Sequence, residues 1–159
     1  MDVDENETGG PDAFPEELAD ALVGIQRLVR RRLRSGMTLP RMRGAEVELL
    51  RLVESRPGIG ISDAAKELYL AGNSVSTLVN QLARDGYLIR ETDPADRRAA
   101  RLKLTDAAHE RLREGQRRRA ALVGRQVDRL DDADREALRA ALPALRKLAV
   151  ALHEEAEES

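Results

Sequence analysis

The sequence contains no cysteine, which excludes disulfide bonds, thiol-based redox sensing and cysteine-ligated zinc. Its two histidines, His109 and His153, stand far apart without a nearby ligand pattern, so no metal site is predicted. The chain also lacks a glycine-rich phosphate loop, a plausible Ser-His-Asp arrangement and paired carboxylates in an apolar setting. We therefore predict neither an enzyme nor a cofactor.

Aromatic residues are nearly absent, with only Phe14, Tyr69 and Tyr87 among 159 residues. A core must therefore be built from Leu, Val, Ile and Ala, as in packed amphipathic helices. No apolar run approaches the roughly 20 residues of a membrane span, and the first residues are acidic rather than basic. These features predict a cytoplasmic protein with no membrane partner.

The formal net charge of −2 conceals an uneven distribution along the chain. Residues 1–20 carry eight acids and no bases, whereas residues 21–56 carry nine bases and three acids. The remaining segments are nearly neutral. The basic segment permits nucleic-acid binding, although a pI near 5.8 is lower than is typical of nucleic-acid-binding domains.

Amphipathic spacing predicts a helix near the N-terminus. Residues 1–15 are polar and acidic, and we predict that they are disordered. Pro15 precedes a predicted helix over 16–33, with acids in its first turn and arginines in its last. Its apolar residues recur at steps of four and three, a stripe suited to another helix: Leu18, Leu22, Ile25 and Val29.

The central segment has the pattern of two helices joined by a short turn. A helix over 43–54 is predicted to bury Val47, Leu50 and Leu52. Ser62 is predicted to cap a short helix through Leu68. The turn "LAGN" follows, where Gly72 and Asn73 tolerate unusual backbone conformations and Asn73 can cap the next helix. That helix presents one apolar face and ends at Gly86; the face consists of Val75, Leu78, Val79 and Leu82.

Two short runs, "YLIRE" and "ARLKLT", alternate apolar and polar residues around "TDPADRRA" and predict a β-hairpin with a charged tip. Leu102 and Leu104 are expected on its core side. Thr105 and Asp106 then begin a long helix to about residue 130, and Asp131 caps a final helix. Pro143 is expected to kink that helix or remove one backbone bond. Its coiled-coil-like stripe is Leu138, Leu142, Leu145, Ala149 and Leu152.

The order of helix, short strand, helix, turn, helix and charged hairpin resembles the MarR (multiple antibiotic resistance regulator) family of transcription factors. "NSVSTLVNQLARDGYLIRETDPADRRAARLKLT" carries most of the resemblance. It implies a mainly α fold: a winged helix-turn-helix with a small β-hairpin wing and N- and C-terminal dimerisation helices. The expected organisation is an acidic tail over 1–15, dimerisation helices over 16–36 and 105–159, and a DNA-binding domain over 37–104.

The second helix of the motif presents short hydrogen-bonding groups opposite its apolar face. Such groups can read base edges in a major groove, Asn and Gln pairing best with adenine. An ordinary solvated helix face is the alternative. In the hairpin tip, the resemblance favours Arg98 for the minor groove, with Asp96 orienting it, while Arg97 is equally well a phosphate contact or a solubilising charge. The candidate DNA-binding residues are Ser62, Asn73, Ser74, Ser76, Thr77, Asn80, Gln81, Arg84, Asp96, Arg97 and Arg98.

Thr77 and Gln81 depart from the family pattern, in which arginine or another base often occupies these positions. The resemblance implies a homodimeric repressor that binds double-stranded DNA at a pseudo-palindromic operator. The nearly uncharged helix face leaves an alternative open, a winged-helix dimer that binds another protein and no DNA. Relatives often bind aromatic effectors, but three aromatic residues offer little to line such a pocket, and any small-molecule effector stays unidentified.

Overall fold

The computed structural model describes residues 13–34, 42–92 and 100–158. The predicted sites Asp96, Arg97 and Arg98 lie outside the described residues, as do the first twelve of the fifteen residues predicted to be disordered. The prediction is wrong for Phe14 and Pro15, which belong to the first helix. Within them the chain is mainly helical, with one antiparallel pair of strands. The elements are α1 (Phe14–Arg34), α2 (Gly44–Ser55), α3 (Ile61–Glu67), α4 (Gly72–Arg84), β1 (Leu88–Thr92), β2 (Ala100–Leu104), α5 (Asp106–Val127) and α6 (Asp132–Glu158).

The chain divides into two compact units, Met1–Leu39 and Pro40–Ser159. The first unit contains α1, which carries Glu16 and Glu17 in its first turn and arginines in its last. This arrangement suits the helix dipole. The helix begins at Phe14 rather than after Pro15, because a proline is tolerated in a first turn where its missing N–H has no helical partner. No residue of α1 is buried.

The core of the second unit joins α2, α3, α4, the hairpin and the start of α5. Leu50 is fully buried as predicted, but Val47 and Leu52 are only half-buried. Leu49 and Val53 are buried instead, because α2 packs on α4, β2 and α5 through that side of the helix. From the other elements the core takes Ala64, Ala65, Val75, Val79, Leu82, Leu88, Leu102, Ala108 and Leu112.

The helix starts of the helix-turn-helix differ from the sequence-based prediction. Gly60, not Ser62, is the N-cap of α3, and Ala71, not Asn73, is the N-cap of α4; neither makes a side-chain cap bond. Gly60 is held extended by a β-bridge to Arg101, so α3 starts at once after it. The Asn73 side chain lies inside the first turn of α4, where Oδ1 accepts a hydrogen bond from the backbone N–H of Ser74 at 2.8 Å.

The turn between α3 and α4 does not use Gly72 or Asn73 for a left-handed residue. Tyr69 takes that conformation, with φ 51°, although left-handed backbone is rare for a bulky side chain. The turn is fixed by hydrogen bonds from the backbone N–H of Tyr69 to Lys66 and of Leu70 to Ala65. These bonds satisfy carbonyls at the end of α3, the usual reason for a left-handed residue just after a helix.

The predicted hairpin is confirmed: β1 pairs antiparallel with β2, with Leu88 opposite Leu104 and Arg90 opposite Leu102. Leu102 is fully buried and Leu104 half-buried, as expected for the core side. The residues before α3 extend the sheet on its other side, since Gly58 N–H donates to Leu102 and Leu102 N–H donates to Ile59. The base of the hairpin is therefore tied directly to the helix-turn-helix.

The last two helices start where the sequence predicts. Thr105 Oγ1 accepts a hydrogen bond from Ala108 N–H at the start of α5, and Asp131 Oδ1 accepts one from Asp134 N–H at the start of α6. The helix α6 continues through Pro143. Its predicted stripe is largely exposed in the single chain, with Leu138 and Leu142 close to half exposed. Among the described residues, no helix combines the length and apolar character needed to cross a membrane.

Candidate nucleic-acid interface

One side of α4 is buried in the core, so the opposite side faces the solvent. Val75, Val79 and Leu82 are buried in the core, which fixes the rotation of the helix about its axis. The predicted site residues consequently lie at the surface or its margin. Asn73, Ser74, Thr77, Asn80 and Arg84 are exposed, while Ser76 and Gln81 are half-buried.

Gln81 already uses both ends of its amide. Its Nε2 donates to Asp85 at 3.0 Å, and its Oε1 accepts from Arg84 at 3.0 Å. The Thr77 hydroxyl likewise donates to the Asn73 carbonyl at 2.9 Å. Gln81 therefore acts within this structure as a support for Arg84 rather than as a free base-reading group.

Asn80 meets a residue that sequence reasoning missed. Arg90, on β1, donates from Nη1 to Asn80 Oδ1 at 2.7 Å. Arg90 shares a face of the hairpin with the buried Leu88 and Leu102, so its side chain lies on the side of the sheet that packs on α4. The alternation of "GYLIR" indicates only the face of the strand on which Arg90 lies, because Arg90 follows Leu88 by two residues.

The remaining predicted residues are not brought onto α4 by the described structure. Ser62 is exposed in the first turn of α3. Asp96, Arg97 and Arg98 come between Thr92 and Ala100 in the sequence and lie outside the described residues. Their proposed roles in the minor groove stay predictions.

A polar cavity of about 430 Å³ lies at the base of the hairpin, beside the residues that precede α3. Arg56 at its rim forms an ion pair with Glu67 of α3. Within the described chain, none of the predicted site residues lines it. The lining residues are Arg56, Pro57, Gly58, Ile59, Gly60, Asp63, Ala100 and Arg101.

Three consecutive arginines, Arg117 to Arg119, lie on α5, and the first of them contacts acids of the same helix. Arg117 contacts Glu110 at 2.7 Å and Glu114 at 2.9 Å. The hydrogen bond and charge of Arg117 lower the pKa of Glu110, and the same carboxylates raise the pKa of Arg117. Burial lowers the pKa of Arg119, and the neighbouring charge of Arg51 lowers it further. Arg117 is therefore ion-paired within α5, whereas Arg119 is half-buried beside another cation.

We looked for a metal-binding site in the part of the chain that the structure describes. No group of three or more His, Asp or Glu side chains there is arranged to hold a metal ion. Cysteine ligands are absent from the whole sequence.

Comparison with known proteins agrees with this geometry. Residues 35–99 match the model of the MarR family. An uncharacterized HTH-type transcriptional regulator of Bacillus subtilis (strain 168), YkoM, is 33% identical over 67 residues. That alignment covers 42% of this chain and 44% of the relative, so it spans less than half of the relative's length.

Solved structures resemble nearly the whole chain. A MarR family protein from Bacillus stearothermophilus aligns with a TM-score of 0.73 at 17% identity, covering 89% of this chain and 99% of that one. Streptococcus pneumoniae FabT, solved in complex with DNA, aligns with a TM-score of 0.65 at 23% identity, covering 90% and 99%. The winged helix-turn-helix fold inferred from the sequence is confirmed, and residues 35–99 of this chain resemble the MarR family.

Proposed function

We propose that this protein is a homodimeric transcriptional regulator that binds double-stranded DNA and acts as a repressor. In this proposal α4 enters the major groove and the hairpin, as the wing, reaches an adjacent minor groove. The observation that carries it is the outward face of α4, where Asn80 and Arg84 stand exposed beside Arg90 of β1. The fold resemblance to FabT, which was solved in complex with DNA, supports DNA binding.

Dimerisation is supported by apolar surface that a single chain leaves exposed. Leu138, Leu142 and Leu152 form a stripe on α6, and each is 46% or more exposed. Monomeric proteins rarely leave such continuous apolar stripes in water. Two-fold symmetry would place the two copies of α4 about 34–36 Å apart, so the operator is expected to be a pseudo-palindrome with half-sites about ten base pairs apart.

DNA binding can be tested by fluorescence anisotropy with fragments of the DNA upstream of and next to the protein's own gene. We expect tight binding to a pseudo-palindrome and a steep dependence on salt. Arg98→Ala should weaken binding and reduce the slope of log K against log salt by about 0.9 for each lost phosphate contact.

The matched control is Arg139→Ala on α6, where Arg139 pairs with Glu136 at 2.8 Å and should leave the slope unchanged. An unchanged slope in Arg98→Ala would show that the wing does not belong to the DNA interface. Failure of the unmodified protein to bind any such fragment would contradict the proposed function.

A protein-binding module is the second candidate function. It is favoured by the nearly uncharged face of α4 before Arg84 and by the pI near 5.8. In that case a protein partner would occupy α4, and operator DNA would not compete with it. A competition experiment with the partner and the DNA together separates the two functions.

A further inference from the structure

Two neighbouring amides of α4 each accept a hydrogen bond from an arginine. Asn80 Oδ1 lies 2.7 Å from Nη1 of Arg90, and Gln81 Oε1 lies 3.0 Å from Nη2 of Arg84. Within the described ranges, neither arginine lies within ion-pairing distance of a carboxylate. Arg117 on α5 differs, since it pairs with two glutamates of its own helix. The arginines beside α4 therefore have neutral partners.

A neutral partner orients a guanidinium group without cancelling its charge. A carboxylate beside Arg90 would bring the net charge of the pair to zero, whereas Asn80 adds no charge. The guanidinium group carries five N–H donors in a planar fork, and the bond to Asn80 is the one hydrogen bond that Arg90 makes among the described residues. Its positive charge and its other donors are available to an anion. A phosphate or a carboxylate matches such a fork best.

Arg90 lies where the two proposed DNA-binding elements meet. Its side chain is on the face of β1 that packs on α4, and its guanidinium group is beside the exposed side of that helix. When a helix occupies the major groove and a wing occupies the adjacent minor groove, one sugar-phosphate strand runs between them. That strand passes the junction of α4 and the hairpin. The position therefore selects a DNA phosphate, not a carboxylate, as the partner of Arg90.

We propose that Arg90 binds a phosphate of the DNA strand between the two grooves, and that Asn80 positions its guanidinium group there. This inference rests on the proposed DNA-binding function and adds one contact to that surface. Arg90 makes the contact, and Asn80 is a positioning residue that acts through Arg90. Phosphate contacts place a protein on the duplex and carry no sequence information, so the contribution of Arg90 is independent of the base sequence.

The salt dependence of DNA binding measures this contact. Each phosphate contact contributes about 0.9 to the slope of log K against log salt, and a dimer loses two contacts when Arg90 is replaced. Arg90→Gln keeps a side-chain donor for Asn80 but removes the charge. It should reduce the slope by about 1.8, which corresponds to roughly sixty-fold weaker binding at about 0.1 M salt. The loss should be equal on an operator fragment and on versions of it with other half-site bases.

Two further variants separate the contact from a general effect of charge. Lys103→Gln removes one positive charge from the opposite face of the same hairpin, where Lys103 pairs with Glu91 at 2.7 Å, and should leave the slope unchanged. Arg90→Lys keeps the charge without the planar fork and should retain most of the slope. Circular dichroism confirms that each variant is folded, as expected because Asn80, Arg90 and Lys103 are all exposed.

The role of Asn80 is tested by the slope, not by affinity alone. A neutral amide that contacts a base neutralises no phosphate, so Asn80→Ala changes the slope only through Arg90. We expect Asn80→Ala to lose part of the slope when Arg90 is present. In the Arg90→Gln background the same substitution should change the slope no further.

The possible failures are distinguishable. An Arg90→Gln variant with the slope of the unmodified protein overturns the phosphate contact, and so does an equal loss in Lys103→Gln. Asn80→Ala overturns the positioning role if it changes the slope equally in both backgrounds or in neither. If the unmodified protein binds no operator fragment, the proposed function itself fails.

Discussion

The Thr105 hydroxyl makes two hydrogen bonds that join neighbouring elements of the fold. Its Oγ1 accepts from Ala108 N–H at 3.2 Å and donates to the Gly86 carbonyl at 2.7 Å. One side chain therefore caps α5 and also ties that cap to the turn after α4. The residue lies between α4 and α5 in the chain.

Replacing Thr105 by alanine should lower the free energy of unfolding by about 1–2 kcal/mol, because the cap and the bond to Gly86 are lost together. Thr105→Ser keeps the hydroxyl and should recover most of this loss. Urea unfolding at one fixed protein concentration measures both, since dimer formation would otherwise change the midpoint. Equal stabilities of the alanine variant and the unmodified protein would show that neither bond contributes.

At this scale the sequence predicted caps well where the signal is local. Thr105 and Asp131 were predicted as helix starts and both make their cap bonds. Ser62 was wrong as a cap, because Gly60 is fixed by a partner 41 positions later, Arg101, through the bridge to β2. Asn73 was also wrong, since Ala71, two residues earlier, is the N-cap of α4. The Asn80–Arg90 bond was not predictable either, since it requires knowing how the hairpin packs on α4.

Two glycines show how the backbone conformation determines whether replacement by alanine stabilises or destabilises the protein. Gly86 has φ +80° in the turn that ends α4, whereas Gly115 lies within α5; neither leaves a new Cβ within 4 Å of the atoms compared. Both positions therefore have room for an added Cβ, and they differ in backbone conformation.

We expect Gly86→Ala to destabilise the protein by about 1–2 kcal/mol, because an L-residue is strained at that φ. Gly115→Ala should stabilise it by about 0.5–1 kcal/mol, because alanine is favoured in a helix. Thermal unfolding of the two variants beside the unmodified protein gives the signs. Two shifts in the same direction would contradict the assignment of the Gly86 turn.

The elements themselves were largely visible in the sequence. Alternation predicted both strands, and the 3.6-residue period predicted α4 with Val75, Val79 and Leu82 inward. The prediction of buried residues was less accurate on α2, where Val47 and Leu52 were predicted in place of Leu49 and Val53. In a short helix the apolar period identifies the buried residues only to within one position. Which residues are buried on α2 is then decided by its packing against α4 and α5.

For the whole molecule, the exposed apolar stripe of α6 leads to a prediction about assembly. The unmodified protein should sediment as a dimer. Leu138→Glu combined with Leu142→Glu should weaken the dimer by roughly a hundred-fold or more, because each buried leucine contributes about 1.5–3 kcal/mol.

Ile89→Glu is the control for that experiment, since Ile89 is 46% exposed on the hairpin, as Leu142 is on α6. It should leave the dimer intact. Sedimentation velocity over a range of concentrations separates the outcomes. A double α6 variant that remains as tightly dimeric as the control would exclude the α6 stripe from the interface.

The hairpin also has a consequence for the behaviour of the protein at high concentration. The unpaired N–H and C=O groups of an edge strand can form hydrogen bonds with another chain. In a sheet of few strands, edge strands make up a larger share of the sheet. Here β2 is covered on one side by β1 and, near Arg101, on the other side by the residues before α3. The open edge belongs to β1, whose five residues include Arg90 and Glu91. Charged side chains at such an edge oppose intermolecular strand addition, so the wing is protected against aggregation by its own sequence.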